Sequence, residues 1–163
     1  MQNTESFFIQ SFFPMDKLPL LPPALFESRA EQKVLRRDCD ILIFSCEADT
    51  RHLLDTLFKL WKYRVEESGS ANDFWARLET HQPKMILVDD FLPFAASLEF
   101  LAEIRRHELC KNIPILLISG FPEAKYRRQS MAAGANDFFE KPLDFNSLEN
   151  YLEEKIFNLS MNS

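Results

Sequence analysis

The chain has 163 residues, 46% hydrophobic and 27% charged, which is the mixture of one globular domain with a modest appendage and excludes a disordered or fibrous protein. Nineteen basic residues against 25 acidic ones leave a formal charge of −6, so the basic stripe of a nucleic-acid binder is missing from the total. Cys39, Cys46 and Cys110 are odd in number and irregularly spaced, which excludes a disulfide framework or a CxxC motif and suits a reducing cytoplasm.

The first residues, MQNTESFFIQSFF, lack the basic start of a signal peptide, and Pro14, Asp16 and Lys17 interrupt the apolar stretch before it could span a bilayer. A cytoplasmic protein without membrane insertion is expected. Residues 1–38 pair Phe7 with Phe8 and Phe12 with Phe13, then place Pro14, Pro19, Pro22 and Pro23 among leucines. They read as a Phe/Pro-rich extension ahead of a domain over 39–163. Its five basic and five acidic residues cancel, so the net −6 belongs to the domain. Paired phenylalanines favour a segment that docks on a groove over an unstructured tail.

From Asp40 onward, strand-like apolar runs alternate with helical stripes, the pattern of βα units around a parallel sheet. Ile41–Phe44 forms a continuous apolar block suited to a strand buried on both faces. Leu53, Leu54, Leu57, Phe58, Leu60 and Trp61 stripe a helix. A weaker strand is predicted around Tyr63 to Glu66, its alternating polarity suggesting a sheet edge. Ser70-Ala71-Asn72-Asp73 starts a helix that buries Phe74, Trp75 and Leu78 and ends by Pro83. Met85–Val88 makes the third strand and delivers Asp89 and Asp90 at its carboxyl end. Leu98, Leu101 and Ile104 mark the third helix, and Ile115–Ile118 is the fourth strand, ending at Ser119-Gly120. The helix from about Glu123 to Ala133 has few large apolar residues, predicting the weakest packing, and Gly134 suits its C-cap. Asp137–Glu140 is the fifth strand, and Leu148, Leu152, Ile156 and Leu159 stripe the last helix.

Parallel sheets of this kind bring functional groups together outside the carboxyl ends of their strands. Those ends carry Ser45-Cys46-Glu47, Asp89-Asp90, Ser119-Gly120 and Lys141-Pro142. One carboxylate, one hydroxyl and one ammonium thus face a single crevice. Asp89 can accept a phosphoryl group, Ser119 can hydrogen-bond its oxygens and Lys141 can neutralise its charge.

The segments PKMILVDDFLP, NIPILLISG and AGANDFFEKPLD resemble, in order and spacing, the response-regulator receiver domain of two-component signalling. The resemblance covers roughly residues 40 to 158. It implies a doubly wound, flavodoxin-like α/β fold, a five-stranded parallel sheet of order 2-1-3-4-5 with helices on both faces. It implies Asp89 as phosphoacceptor, Ser119 and Lys141 as phosphate contacts, Phe138 as the aromatic switch position and Pro142 at a proline that is often cis. It also implies Mg²⁺, a kinase or small-molecule donor, and signalling through the fourth helix, fifth strand and fifth helix.

Two departures stand out. Receivers usually end the first strand with two acidic residues, where this sequence has Ser45 and Cys46. A hydroxyl brings no charge and a thiol is soft, so Asp89, the Phe91 carbonyl and a rotated Glu47 would be left to hold the metal. Asp90 adds a nearby charge. After Pro93 the usual Asp-Gly loop is replaced by Phe94-Ala95-Ala96-Ser97.

The reading favoured is therefore a pseudo-receiver, a stand-alone signalling protein acting through protein contacts, with Asp89 and Lys141 as a structural ion pair. The alternative is a phosphorylation-dependent response regulator. Expected partners are a sensor histidine kinase, a phosphotransfer protein or a downstream regulator, with no nucleic acid. Ser119 reads either as a phosphate contact or as a cap on a backbone group, Phe138 as a switch or as core, and Cys46 as a redox-sensitive thiol or a small buried residue. His52, His81 and His107 have no metal-ligand spacing and are expected at the surface. Lys125-Tyr126-Arg127-Arg128 and Arg105-Arg106 read as solvated faces, the former also as a docking site for an acidic partner. Neither a catalytic triad nor a phosphate-cradling Gly-rich loop is present, so no enzyme is expected.

Overall fold

The computed structural model describes residues 36–91 and 93–161. Most of the 1–38 extension, with its paired phenylalanines, lies outside the described residues. Five strands, β1 (Arg37–Phe44), β2 (Val65–Ser68), β3 (His81–Asp89), β4 (Ile115–Ser119) and β5 (Asp137–Glu140), alternate with five helices. These are α1 (Ala48–Leu60), α2 (Ala71–Thr80), α3 (Phe94–Arg106), α4 (Ala124–Ala133) and α5 (Phe145–Met161), with one 3₁₀ turn at Glu108–Cys110. All strand pairs are parallel and the order is β2-β1-β3-β4-β5, as the resemblance implied.

The apolar blocks are buried on both sides because alternate residues serve different faces. Leu42, Phe44, Ile86, Val88, Ile115 and Leu117 meet Phe74 and Leu78 of α2 and Phe100, Leu101 and Ile104 of α3. Ile41, Ile43, Met85, Leu87, Leu116 and Ile118 meet Leu54 and Phe58 of α1 and Leu148, Leu152 and Ile156 of α5. Removing each such side chain from water contributes about 1.5–3 kcal/mol. Helix α4 buries only Ser130, in keeping with its poor apolar content.

Three strands depart from their predicted bounds. β1 begins at Arg37, four residues before the Ile41–Phe44 block, where it already pairs with His81 of β3. β2 lies two residues later than Tyr63–Glu66, because the end of α1 uses that stretch: Lys62 adopts φ +71° and the Tyr63 amide donates to the Phe58 carbonyl. β3 begins at His81 and includes Pro83, since β1 pairs with it from Arg37 onward. At Pro83 only β1 is a neighbour, the β4 ladder starting at Ile86, so the other edge accommodates a proline. His81, expected at the surface, is buried, with Nε2 3.2 Å from Glu66 and Nδ1 2.9 Å from the Thr80 hydroxyl. The chain reversals leave the carboxyl ends of β1, β3, β4 and β5 side by side.

Candidate functional site

Ser45 follows directly on β1, its amide bonded to the Ser68 carbonyl and its side chain fully buried. Its hydroxyl donates to Asp89 Oδ2 at 2.8 Å and accepts from the Glu47 amide at 3.2 Å. Asp89 ends β3 opposite Ile118 and is almost completely buried, at 1% exposure. Lys141 follows β5, its amide tied to the Ser119 carbonyl and the Lys141–Pro142 peptide cis. The Lys141 ammonium lies 2.5 Å from Asp89 Oδ1. Burial pushes the Asp89 carboxyl above its ordinary range, outweighing the lowering by Lys141 and Ser45, and the charge of Asp90 adds to the rise.

Ser119 does not touch Asp89. Its hydroxyl donates to Asp90 Oδ2 at 2.5 Å and accepts from the Phe121 amide at 3.0 Å, so it does cap a backbone group. Asp90, treated from sequence as merely an additional charge, is thus a central group of the crevice. Together with Cys46, Glu47, Phe91, Phe121 and Lys141 it lines a cavity of about 250 Å³. Hydrogen-bond partners in tertiary space, not sequence spacing, reveal this role.

The other expected residues are placed as follows. Glu47 precedes α1 and its carboxylate accepts from the Thr50 hydroxyl at 3.0 Å. Cys46 is exposed, correcting its reading as a small buried residue, and partial desolvation of its thiol, followed by the Asp89 charge, raises its pKa, which disfavours the thiolate. Phe138 packs inward at 4% exposure, with the Arg127 guanidinium 5.6 Å from its ring centre. The unusual Phe94–Ser97 stretch is the start of α3, and Ser97 clasps Phe91, accepting from its amide at 2.9 Å and donating to its carbonyl at 3.0 Å. Phe94 meets Phe121 and Tyr126 edge to face, and those two are tilted against each other, the ring centres 4.6–5.3 Å apart.

A hard divalent cation needs several oxygen ligands carrying negative charge. Here Asp89 is engaged on both oxygens, the Ser45 proton points to it, Asp90 accepts from Ser119, the Cys46 thiolate is disfavoured and Glu47 is turned to Thr50. Among the described residues no group of three or more His, Cys, Asp or Glu side chains is disposed to hold a metal ion.

A doubly wound sheet with an aspartate, a lysine and a hydroxyl gathered at its carboxyl edge defines a receiver-type α/β domain. Residues 41–153 match the family model of the response regulator receiver domain, and the chain belongs to that family. It is a receiver domain of two-component signalling. It is 25% identical over 122 residues to two-component response regulator-like PRR37 of Oryza sativa subsp. indica, covering 74% of this chain and 16% of that protein. It is 33% identical over 108 residues to transcriptional regulatory protein KdpE of Staphylococcus aureus, covering 66% of this chain and 46% of that one. The chain therefore spans less than half the length of either relative. Among solved structures, chemotaxis response regulator CheY4 of Vibrio cholerae superposes with a TM-score of 0.63 at 19% identity, covering 74% of this chain and 98% of that one. The receiver domain of sensor histidine kinase PA1611 from Pseudomonas aeruginosa PAO1, which holds a magnesium ion in its active site cleft, gives 0.63 at 23% identity, covering 73% and 98%. At these identities the structures speak for the fold alone. Among the described residues no helix is long and apolar enough to cross a membrane.

Proposed function

We propose that this receiver domain signals through protein contacts without Mg²⁺-dependent phosphorylation of Asp89, as a pseudo-receiver and not as an enzyme. The observation that carries this reading is the engagement of both oxygens of the almost fully buried Asp89, Oδ2 by the Ser45 hydroxyl and Oδ1 by the Lys141 ammonium. Phosphoryl transfer to a carboxylate requires charge neutralisation at the transferring group, and in its place the resident lysine already neutralises Asp89 itself. The partner is a sensor histidine kinase, a phosphotransfer protein or a downstream regulator, meeting a surface that does not depend on phosphorylation.

The alternative is a phosphorylation-dependent response regulator with Asp89 as acceptor. It is supported by the location of Asp89, Ser119 and Lys141 around one crevice, and it requires Ser119 and Glu47 to turn inward, the latter to join Asp89 on Mg²⁺. Intact mass after incubation with phosphoramidate, with and without Mg²⁺ and with Asp89→Asn as control, separates the two. The pseudo-receiver reading expects no adduct under either condition. A Mg²⁺-dependent adduct that disappears in Asp89→Asn would establish the alternative.

A further inference from the structure

A serine hydroxyl carries one proton, and an ionised carboxylate only accepts hydrogen bonds. The Ser119 proton is committed to Asp90 Oδ2, 2.5 Å away. The same carboxylate presents Oδ1 to the Gly120 amide at 3.4 Å and to the Lys141 ammonium at 4.0 Å. A hydroxyl, a backbone amide and an ammonium at the crevice thus all face an anion that is part of the chain. The Asp90 side chain is only 6% exposed and lines the cavity beside Lys141, whose side chain is 31% exposed.

We propose that the Asp90 carboxylate is an internal competitor that keeps phosphate-class oxyanions out of the crevice. It does so in two ways. It withholds the only proton Ser119 could donate to an incoming oxygen, and it repels negative charge at close range where solvent screening is weak. This rests on the reading of the crevice as closed to phosphoryl transfer and assigns the residue responsible. Asp89 does not share the role, because its charge is already paired by Lys141 and Ser45.

Titration of the full chain with orthophosphate, followed through the Gly120 and Phe121 amide resonances, tests the proposal. Asp90→Asn removes the charge while its carbonyl can still accept from Ser119, so affinity rises severalfold. Asp90→Ala also frees the hydroxyl, and affinity rises by at least about tenfold over the parent chain. Ser119→Ala leaves the parent's weak binding unchanged and weakens binding severalfold in the Asp90→Ala background, because only there is the proton available. Equal affinity in the parent and Asp90→Ala, including no binding in either, overturns the proposal. So does an equal effect of Ser119→Ala in both backgrounds. If Asp90→Ala does not fold, the isosteric Asp90→Asn carries the test, and affinity equal to the parent's overturns it. The titration is non-covalent, so a phosphoryl adduct in the parent chain would sink the functional reading and leave this result to be judged separately.

Discussion

Two aspartates that look alike in sequence carry opposite electrostatic histories. Burial pushes Asp40 upward, but hydrogen bonds from the Arg64 guanidinium and amide and from Lys84 overcome it and bring its pKa down to about 2. Its ionised form stabilises the fold above the ordinary value of 3.8, and that contribution is lost as pH falls through about 2. Asp40→Asn should therefore cost about 1–2 kcal/mol at neutral pH, after discounting for the half-exposed Arg64, with the cost shrinking as pH falls from 3.8 through about 2. Asp89 has the reverse sign. Burial raises its pKa despite Lys141 and Ser45, so the folded state binds its proton more tightly than the unfolded chain, and ionisation above the raised value costs stability. Asp89→Asn should match the parent below 3.8 and gain on it as pH rises from 3.8 through the raised value, above which the difference stays constant. Thermal melts of both variants across pH check this, and the Asp40 pattern in Asp89→Asn would show that Lys141 and Ser45 outweigh burial at Asp89.

At the scale of elements, the site depends on how helices begin and end. Ser70 caps α2 by accepting from the Asp73 amide at 3.2 Å, as its sequence position predicts. Gly134 closes α4 with φ +125°, and a Cβ there would lie 2.7 Å from Arg105 Cβ. Arg105 in turn donates to the carbonyls of Gly134, Cys110 and Ile113 and to the Asn136 side chain, tying α3 to the entries of β4 and β5. Gly134→Ala should therefore destabilise the protein by more than about 1 kcal/mol, combining backbone strain with the Arg105 clash. Urea denaturation measures it, and a neutral result would mean that Arg105 is free to move. The start of α3 shows why the loop after Pro93 dispenses with glycine: Ser97 holds both polar backbone groups of Phe91 and so supplies the turn with side-chain bonds.

On the scale of the whole sheet, the described residues form two apolar clusters, one on each face, with no shared buried residues. Leu101→Ala on one face and Leu152→Ala on the other should each cost about 2–5 kcal/mol. Their combination should be additive within about 0.5 kcal/mol, because the backbone layer keeps the two cavities apart. A double-mutant cycle by denaturant unfolding decides, and strong coupling would show that the sheet transmits packing strain between its faces. The same layered arrangement was legible in sequence, since period-two blocks and helical stripes are repeated over many residues and each repetition reinforces the next. The motifs carried Asp89, Ser119, Lys141 and Phe138 to the right elements for the same reason. Strand bounds at β2 and β3 were less legible, because they are settled by ladder partners more than twenty residues away: Ile41 for Val65 and Arg37 for His81. Which hydroxyl meets which carboxylate was not legible at all. Ser45 bonding to Asp89 and Ser119 to Asp90 depends on angles and distances of a few tenths of an ångström at the junction of three strands, and no residue type or spacing encodes those. Fold class and the roster of the crevice follow from local pattern; the pairing within the crevice arises only when long-range packing sets side chains face to face.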